Sequence, residues 1–496
     1  MNVLLISFSF PPAGGVGVLR ALSLAKYLPE SGIRVDVLTA RNAPAVVRDE
    51  GLLQQVPDSV TVHRTWTLDL PFALRKGIKK VLSRGSKAAR QPVVAPPKRN
   101  EITHARHPER SVAESKDLLS AGSSTGAREE SRSFAALRMT NVSGKAPRGN
   151  PLKRWIADLL LPDPQVGWLP FAGPAAERIV RQGAIDAVII TVPPFSSVLL
   201  AKRLRAAFPD LTIVLDFRDE WLDTTLLLVS LNANPRARLI AEQTEREAVE
   251  AATCVVAVTD AARDAIRARY QAQPGHKFVS ISNGYDGAPP TAPAPLPRKA
   301  TDAPVTLTYL GSVYGSTEPT SFVEAVLGLS PEMRARLRVR FVGHCERPED
   351  RETLLQLGST VELIGFLPQA DALRLLDETD YVLLLSHDPV NVSAKFYDYL
   401  RAAKPMLAAV HPAGDVRRRL QETRAGRWAD IGDPEAIRAM LVDALTAPPA
   451  DCYHPDFVAI ARYHRRPLAR QYAVLLQELA TEQTAPELAQ AGVVTR

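Results

Sequence analysis

Residues 3–40 decide the fold class, and they read VLLISFSFPPAGGVGVLRALSLAKYLPESGIRVDVLTA. An apolar strand leads into a loop rich in Pro and Gly, and a segment with apolar residues at helical spacing follows. Gly32 marks the end of that helix, and a second apolar strand closes the unit. A strand, a helix and another strand in this order predict a βαβ unit, and therefore a parallel sheet.

The same alternation of strands and helices continues along the chain in two series. Four strand candidates precede a stretch rich in Pro and Ala, and they read AVIITVPP, TIVLDFRD, TCVVAVTD and FVSISN. Five more follow that stretch, and they read VTLTYLGS, RVRFVGH, VELIGFLP, DYVLLLS and PMLAAV. Because ligands of parallel sheets bind beyond the carboxyl ends of the strands, we predict two facing, doubly wound, Rossmann-like α/β domains with the active site in the cleft between them.

A change in composition divides the chain further. Residues 98–150 contain only seven Leu, Ile, Val or Phe, too few to bury a core, so we predict a disordered insertion there. The predicted division is a first domain at 1–97 and 151–290, a linker at 291–304, a second domain at 305–450, a C-terminal helix at 451–480 and a flexible tail at 481–496.

Composition excludes several classes of protein. The three cysteines, Cys254, Cys345 and Cys452, are scattered and form no CxxC or His–Cys cluster, which argues against a zinc site and a disulfide framework. We therefore expect a reducing, cytoplasmic location.

The N-terminal apolar run lacks a basic leader and a cleavage site, so we interpret it as a strand rather than a signal peptide. No run of about 20 apolar residues predicts a membrane-spanning helix.

The net charge of +7 has a local source. Residues 75–90, RKGIKKVLSRGSKAAR, contain seven Lys or Arg and no acidic residue. Such a run is typical of a solvated helix and loop, and it also fits an anionic lipid surface, which would place the protein on the inner face of the cell membrane. Because the run has no interleaved aromatic residues, we do not expect nucleic acid as a partner.

The Gly-rich turn after the first strand is a candidate anion site. Gly14, Gly15 and Gly17 let the backbone approach a ligand, and the following helix N-terminus favours a diphosphate. A dinucleotide fingerprint is disfavoured, because the bulky Arg20 stands where a small residue is needed and Asp36 lies inside the second strand rather than at its end. A purely structural tight turn is the other alternative.

Further motifs follow in order, and they read PDPQVGWLP, ITVPPFSS, LDFRDEW, SISNGYD, LTYLGSVYG, VELIGFLPQADALRLLDETDYVLLL and SAKFYDYLRAAKPMLA. Together with residues 8–39 they resemble bacterial family 4 glycosyltransferases of cell-surface polysaccharide assembly, which have the GT-B fold. The resemblance implies transfer of a sugar, with retention of configuration, from a nucleotide-diphosphate-sugar to a glycan or lipid-linked acceptor. The donor is then a substrate, and no separate cofactor is expected.

On the acceptor side the resemblance points to the motif DFRDEW, residues 216–221. A carboxylate at a strand end is suited to an acceptor hydroxyl, and a guanidinium pairs with phosphate in a forked geometry. We therefore predict Arg218 and Asp219 as catalytic residues. The alternative is an Arg–Asp network that only holds the strand end.

On the donor side the resemblance places Gly311, Ser312 and Tyr314 under the diphosphate, and Gly14, Gly15 and Gly17 near the transferred sugar. The Arg and Lys that many relatives carry after this strand are absent here, so backbone N–H groups, Ser312 or another cation must replace them.

The motif at residues 395–400 extends the donor site. Relatives carry two glutamates eight residues apart, of which the second binds the ribose. Asp398 occupies the second position, and Val390 occupies the first. Lys395 precedes Asp398 by one helical turn, so we predict that Lys395 binds the diphosphate and Asp398 the ribose hydroxyls. A surface ion pair between the two is the alternative.

Absent motifs narrow the chemistry. The sequence has no DxD triplet, so we expect no metal site and metal-independent transfer. It also lacks GxSxG, HExxH and P-loop motifs. His387 follows a strand and is interpreted as a loop residue rather than a catalyst. Two rival functions stay open: a nucleotide-sugar epimerase, and a catalytically degenerate homologue that only binds a nucleotide or a partner.

Overall fold

The computed structural model describes residues 1–43, 48–68, 161–223, 235–294, 304–367, 369–446 and 453–491. The predicted insertion at 98–150, the basic run at 75–90 and Cys452 lie outside the described residues. Residues 295–303 of the predicted linker lie outside them as well.

The first domain contains a parallel sheet of seven strands, in the order β3-β2-β1-β4-β5-β6-β7. Its strands are β1 (Asn2–Ser7), β2 (Arg34–Ala40), β3 (Thr61–Thr65), β4 (Ala187–Val192), β5 (Thr212–Phe217), β6 (Cys254–Ala257) and β7 (Phe278–Ser280). Its helices are α1 (Val16–Tyr27), α2 (Glu50–Leu53), α3 (Leu169–Gly183), α4 (Leu199–Ala207), α5 (Pro235–Ala251) and α6 (Asp260–Arg269). The strand order reverses between β1 and β4, which creates a crevice at the carboxyl edge there.

The second domain contains a parallel sheet of six strands, in the order β10-β9-β8-β11-β12-β13. Its strands are β8 (Val305–Leu310), β9 (Leu337–Val342), β10 (Val361–Gly365), β11 (Tyr381–Ser386), β12 (Met406–Val410) and β13 (Gly426–Asp430). Its helices are α7 (Thr320–Leu327), α8 (Pro331–Ala335), α9 (Pro348–Leu355), α10 (Gln369–Arg374), α11 (Ala394–Ala402), α12 (Asp415–Thr423) and α13 (Pro434–Thr446). Here the order reverses between β8 and β11. The prediction of two Rossmann-like domains is confirmed.

Helices cover both faces of the first sheet, which explains its continuous apolar strands. In β1, Leu4 and Ile6 belong to a core that includes residues of α3, α4 and α5. Val3 and Leu5 point to the opposite face and belong to a core with α1. All six residues of β4 and of β5 are buried. Because successive side chains point to opposite faces of the sheet, each strand contributes residues to both cores.

The end of the chain returns to the first domain. Two helices, α14 (Phe457–Ala461) and α15 (Arg465–Ala491), follow the second domain. Leu468, Tyr472 and Leu476 of α15 are buried in the core that contains α1 and β1. The helix extends beyond residue 480, where the sequence pattern predicted its end. The crossover makes the C-terminal segment a structural part of the first domain.

A buried ion pair connects three elements of this domain. Arg20 of α1 is 8% exposed, and Asp216 of β5 is fully buried. The guanidinium donates to both carboxylate oxygens at 2.9–3.0 Å, and the Tyr472 hydroxyl donates to the same carboxylate at 2.6 Å. Arg20 also donates to the backbone carbonyls of Ile281 and Ser282, both at 2.8 Å. Arg20, whose bulk disfavours a dinucleotide-binding turn, is therefore directed into the core.

The charges of this pair stabilise one another. Burial alone would lower the pKa of Arg20, but the charge of Asp216, together with the interactions of Tyr472 and the hydrogen bonds to both residues, leaves the pKa raised. Burial alone would raise the pKa of Asp216, but the charge of Arg20, together with hydrogen bonds from Arg20, Tyr472 and Thr191, leaves that pKa lowered. Removing one partner would leave the other charged, buried and unpaired, which is far more costly than losing an exposed pair.

We expect Arg20→Met to lower the free energy of unfolding by about 3–5 kcal/mol, because Asp216 would stay buried without its counter-ion. Urea unfolding of the full chain measures the change. Arg34→Met is the matched control, since Arg34 is exposed in the same βαβ unit, and it should change stability by less than about 0.5 kcal/mol. Equal, small effects of the two substitutions would contradict the role given to Arg20.

Candidate functional site

Three glycines follow neighbouring strands at the carboxyl edge of the second sheet. Gly311 after β8, Gly343 after β9 and Gly365 at the end of β10 have φ angles of 112°, 142° and 80°. A Cβ at Gly343 would lie 2.3 Å from the carbonyl oxygen of Gly311, so the two loops touch through backbone alone. The sequence analysis named Gly311 and missed the other two, although each appears in the sequence as a Gly directly after an apolar run.

Lys395, on the first turn of α11, reaches the loop that begins at Gly311. Its ammonium group donates to the hydroxyl of Tyr309 and lies 3.9 Å from the centroid of that ring. A Cβ at Gly311 would lie 3.3 Å from Cε of Lys395. The Tyr309 hydroxyl in turn donates to the carbonyl of Ser312 at 2.9 Å. The predicted residues Gly311, Ser312 and Lys395 are thus in one place, organised by the buried Tyr309 that sequence reasoning missed.

The rest of this loop is fixed by local hydrogen bonds. Tyr314 donates its backbone N–H to Oγ1 of Thr317 at 2.9 Å, and its ring is half-buried. His387 donates its N–H to the carbonyl of Ser316 at 2.8 Å, and its Nε2 lies 3.1 Å from the carbonyl of Glu318. The imidazole is thus engaged by the loop, in agreement with its interpretation as a loop residue.

We expect Gly343→Ala to disturb this edge, because the added Cβ meets the Gly311 backbone and the residue has a positive φ. The predicted loss in unfolding free energy is about 1–3 kcal/mol, with weaker ligand binding at the Gly311 loop. Gly315→Ala is the matched control, since nothing lies within 4 Å of a Cβ there. Thermal unfolding compares the two variants, and a fully stable Gly343→Ala protein would show that the loops do not need this contact.

Asp398 lies farther along α11, in a cavity between the two domains. The cavity has a volume of about 760 Å³ and is lined by residues of α1, α11, the chain after β7 and the start of α15. Burial raises the pKa of the Asp398 carboxyl, and the charges of Arg401 and Arg465 partly oppose that shift. The volume falls within the range of small-molecule sites, about 300–1,000 Å³.

The predicted residues of the first domain form a second group. Gly15 has a φ of 92° and stands directly before α1. Arg218 donates to the backbone carbonyls of Gly17, Val192 and Pro193, so it braces the start of α1 against the end of β4. Burial lowers the pKa of this guanidinium. These bonds of Arg218 all go to backbone carbonyls, and none of them goes to an aspartate.

The carboxylates of the same motif differ sharply in burial. Asp216 is fully buried against Arg20, so it is not available to an acceptor, whereas Asp219 is exposed. Glu220 is also fully buried, and it accepts hydrogen bonds from the backbone N–H groups of Leu222 and Asp223. Of the four charged residues of the motif, Asp219 is the one that is exposed.

Val390, which stands where relatives carry the first of the two glutamates, lies at the contact between the domains. The carbonyl of Val390 accepts a hydrogen bond from Oγ1 of Thr259 at 2.8 Å, and the Val390 side chain packs against the core of the first domain. Asp388 shapes this loop by accepting from the N–H groups of Val390 and Asn391 at 2.8 and 2.9 Å. A valine at this position therefore has a packing role that a glutamate would not fill.

Arg419 of α12 makes the second contact between the domains. It is 3% exposed and pairs with Asp415 at 3.0 Å. The same guanidinium donates to Oγ of Ser282 at 2.6 Å and to the carbonyl of Val258 at 3.2 Å, both in the first domain. Ser282 also lies 3.0 Å from the hydroxyl of Tyr397. These bonds hold the carboxyl edges of the two sheets toward each other.

Solved structures of several glycosyltransferase-type proteins share this two-domain arrangement. Anabaena Alr3699/HepE, solved in complex with UDP and glucose, is 14% identical with a TM-score of 0.51, over 96% of this chain and 99% of that one. The lipopolysaccharide outer core galactosyltransferase WaaB is 11% identical with a TM-score of 0.53, over 96% and 100%. The trehalose-6-phosphate synthase OtsA is 11% identical with a TM-score of 0.53, over 96% and 99%. At these identities the likeness establishes the fold, and the chain has the GT-B fold.

The chain matches no protein-family model and no curated protein sequence. Among the described helices, none combines the length and the apolarity that crossing a bilayer requires.

Proposed function

We propose that this protein is a glycosyltransferase that uses a nucleotide-diphosphate-sugar. The observation that carries the proposal is the position of Lys395 beside the Gly311 loop, at the point where the strand order of the second sheet reverses, with Asp398 one helical turn farther along α11 in the interdomain cavity. Ligands of such sheets bind at this point. The GT-B relative HepE, solved with UDP and glucose, supports the same class of donor.

In this proposal the second domain binds the donor. The Asp398 carboxylate accepts hydrogen bonds from the two ribose hydroxyls, for which its two oxygens are suited. The diphosphate lies at the Gly311 loop, where Lys395, Ser312 and Tyr314 surround it. The ammonium group of Lys395 then replaces the Arg and Lys that relatives carry after this strand, since it already reaches Gly311.

The first domain binds the acceptor, a glycan or a lipid-linked sugar of cell-surface polysaccharide synthesis. Gly14, Gly15 and Gly17 lie near the transferred sugar, at the N-terminus of α1, where charge developing on the leaving diphosphate is stabilised. Asp219 contacts the acceptor, while Arg218 positions the turn by its bonds to Gly17. Transfer proceeds with retention and without a metal, and the enzyme works on the cytoplasmic face of the membrane.

Binding to a panel of UDP-, GDP-, ADP-, dTDP- and CMP-sugars tests the donor site, with NAD and ATP as controls. One diphospho-sugar is expected to bind in calorimetry, and Asp398→Asn should weaken it by about tenfold or more, because a charge-assisted hydrogen bond is lost. Asp443→Asn is the matched control, since this carboxylate is exposed on the same domain. Binding of NAD alone, or equal affinities in the two variants, would contradict the proposal.

Turnover separates the proposed function from its rivals. A transferase releases the nucleoside diphosphate only when an acceptor glycan is present, and chelation by EDTA should leave that rate unchanged. Conversion of the donor without any acceptor would identify an epimerase. Donor binding without turnover, over a panel of acceptors, would identify a degenerate homologue.

A further inference from the structure

Cationic side chains outnumber carboxylates in the lining of the interdomain cavity that contains Asp398. Four cationic side chains and two carboxylates line it: Lys26, Arg401, Arg465 and Arg466, with Asp286 and Asp398. Two of the cations have acidic partners, because Lys26 pairs with Asp286 at 3.2 Å and Arg466 pairs with Glu30 at 3.0 Å. Arg401 and Arg465 remain, with Asp398 as the one carboxylate left beside them, so positive charge is in excess.

Neither guanidinium has a direct partner among the residues that the structure describes: no ion pair and no side-chain hydrogen bond joins Arg401 or Arg465 to them. Both side chains are half-buried. Burial lowers the pKa of Arg465, and the charges of Asp286 and Asp398 offset only part of that effect. A desolvated cation without a hydrogen-bonded counter-ion is costly, and a bound oxyanion removes the cost.

The geometry of α11 separates this charge from the proposed diphosphate site. Lys395, Asp398 and Arg401 follow one another on α11 at intervals of three residues, so each is adjacent to the next. Lys395 and Arg401 themselves point about 120° apart around the helix axis. Lys395 reaches the Gly311 loop, whereas Nη1 of Arg401 lies 3.7 Å from the position of a Cβ at Gly287. The Cα atoms of the two cations are about 9 Å apart along the helix axis, and their side chains extend to different loops, one at Gly311 and the other at Gly287.

We propose that Arg401 and Arg465 form a second anion site, which binds the phosphate group of a small phosphate monoester such as a sugar phosphate. Two planar guanidinium groups present paired donors that match the oxygens of a phosphate. The cavity of about 760 Å³ accommodates the organic part of the ligand. Because its walls come from α1, α11 and α15, a bound anion connects the two domains and stabilises this arrangement of them.

Calorimetric titration of the full chain with glucose 6-phosphate, inorganic phosphate and glucose tests the site. Glucose 6-phosphate is expected to bind, and glucose is not. Arg401→Met and Arg465→Met should each weaken binding by about tenfold or more. Arg470→Met is the matched control, because Arg470 is exposed on the same helix as Arg465 and lies outside this cavity. Arg401→Lys keeps the charge and should retain part of the affinity, which separates a lost contact from a lost fold.

Three outcomes would overturn the proposal: no binding of glucose 6-phosphate, unchanged affinity in both Arg→Met variants, or loss of binding in Lys395→Met instead. Inorganic phosphate binding as tightly as glucose 6-phosphate would overturn the monoester class. The same variants titrated with UDP-glucose distinguish this site from the donor site. A chain that binds the sugar phosphate through Arg401 but no nucleotide-sugar would refute the proposed function and leave this site standing.

Discussion

The ion pair between Arg20 and Asp216 connects parts of the chain that are remote in sequence. Arg20 lies on α1, Asp216 is the penultimate residue of β5, and Tyr472 of α15 donates to the same carboxylate. The pair therefore sets the orientation of α1, whose N-terminus carries the Gly-rich turn. It also anchors α15 on the first domain, and the start of α15 brings Arg465 to the interdomain cavity. The Gly-rich turn and the position of Arg465 in the interdomain cavity therefore both depend on this one buried contact.

The contact between the domains is built in the same way, because a buried arginine pairs with an aspartate and also donates to backbone carbonyls or small polar groups. Arg419 reaches Ser282 and the carbonyl of Val258, and Val390 adds an apolar contact and a bond from Thr259. All of these partners lie just beyond strand ends or at the helices that follow. The carboxyl edges of the two sheets therefore face each other, as a shared ligand site requires.

Much of the fold was predictable from local pattern. Continuous apolar strands alternating with helices required parallel sheets covered on both faces. Gly32, with a φ of 75°, ends the short 3-10 helix Leu28–Ser31 that continues α1. Local sequence pattern did not predict which charged side chains of the candidate site are buried. Asp216 and Asp219 are three residues apart, but Asp216 lies inside the fully buried β5 and Asp219 beyond its end, and the counter-charge of Asp216 comes from Arg20, 196 residues away.

The glycines show the same limit. Gly311 stood out because it follows a strand in a family-like motif, while Gly343 is required by a contact with Gly311 that sequence does not display. Arg465 is one of many arginines in the chain, and its unusual position depends on the crossover of α15. Residue type and spacing thus identified the carboxyl edge of the sheet as the candidate site. Tertiary contacts determined which side chains line that edge.

A crystal structure of the full chain with a bound nucleotide-diphosphate-sugar tests the central claim most directly. We predict the ribose hydroxyls on the carboxylate of Asp398 and the diphosphate beside Gly311 and Lys395. A nucleotide seated instead on the Gly14–Gly17 turn of the first sheet, in the manner of a dinucleotide cofactor, would contradict the assignment of the donor to the second domain.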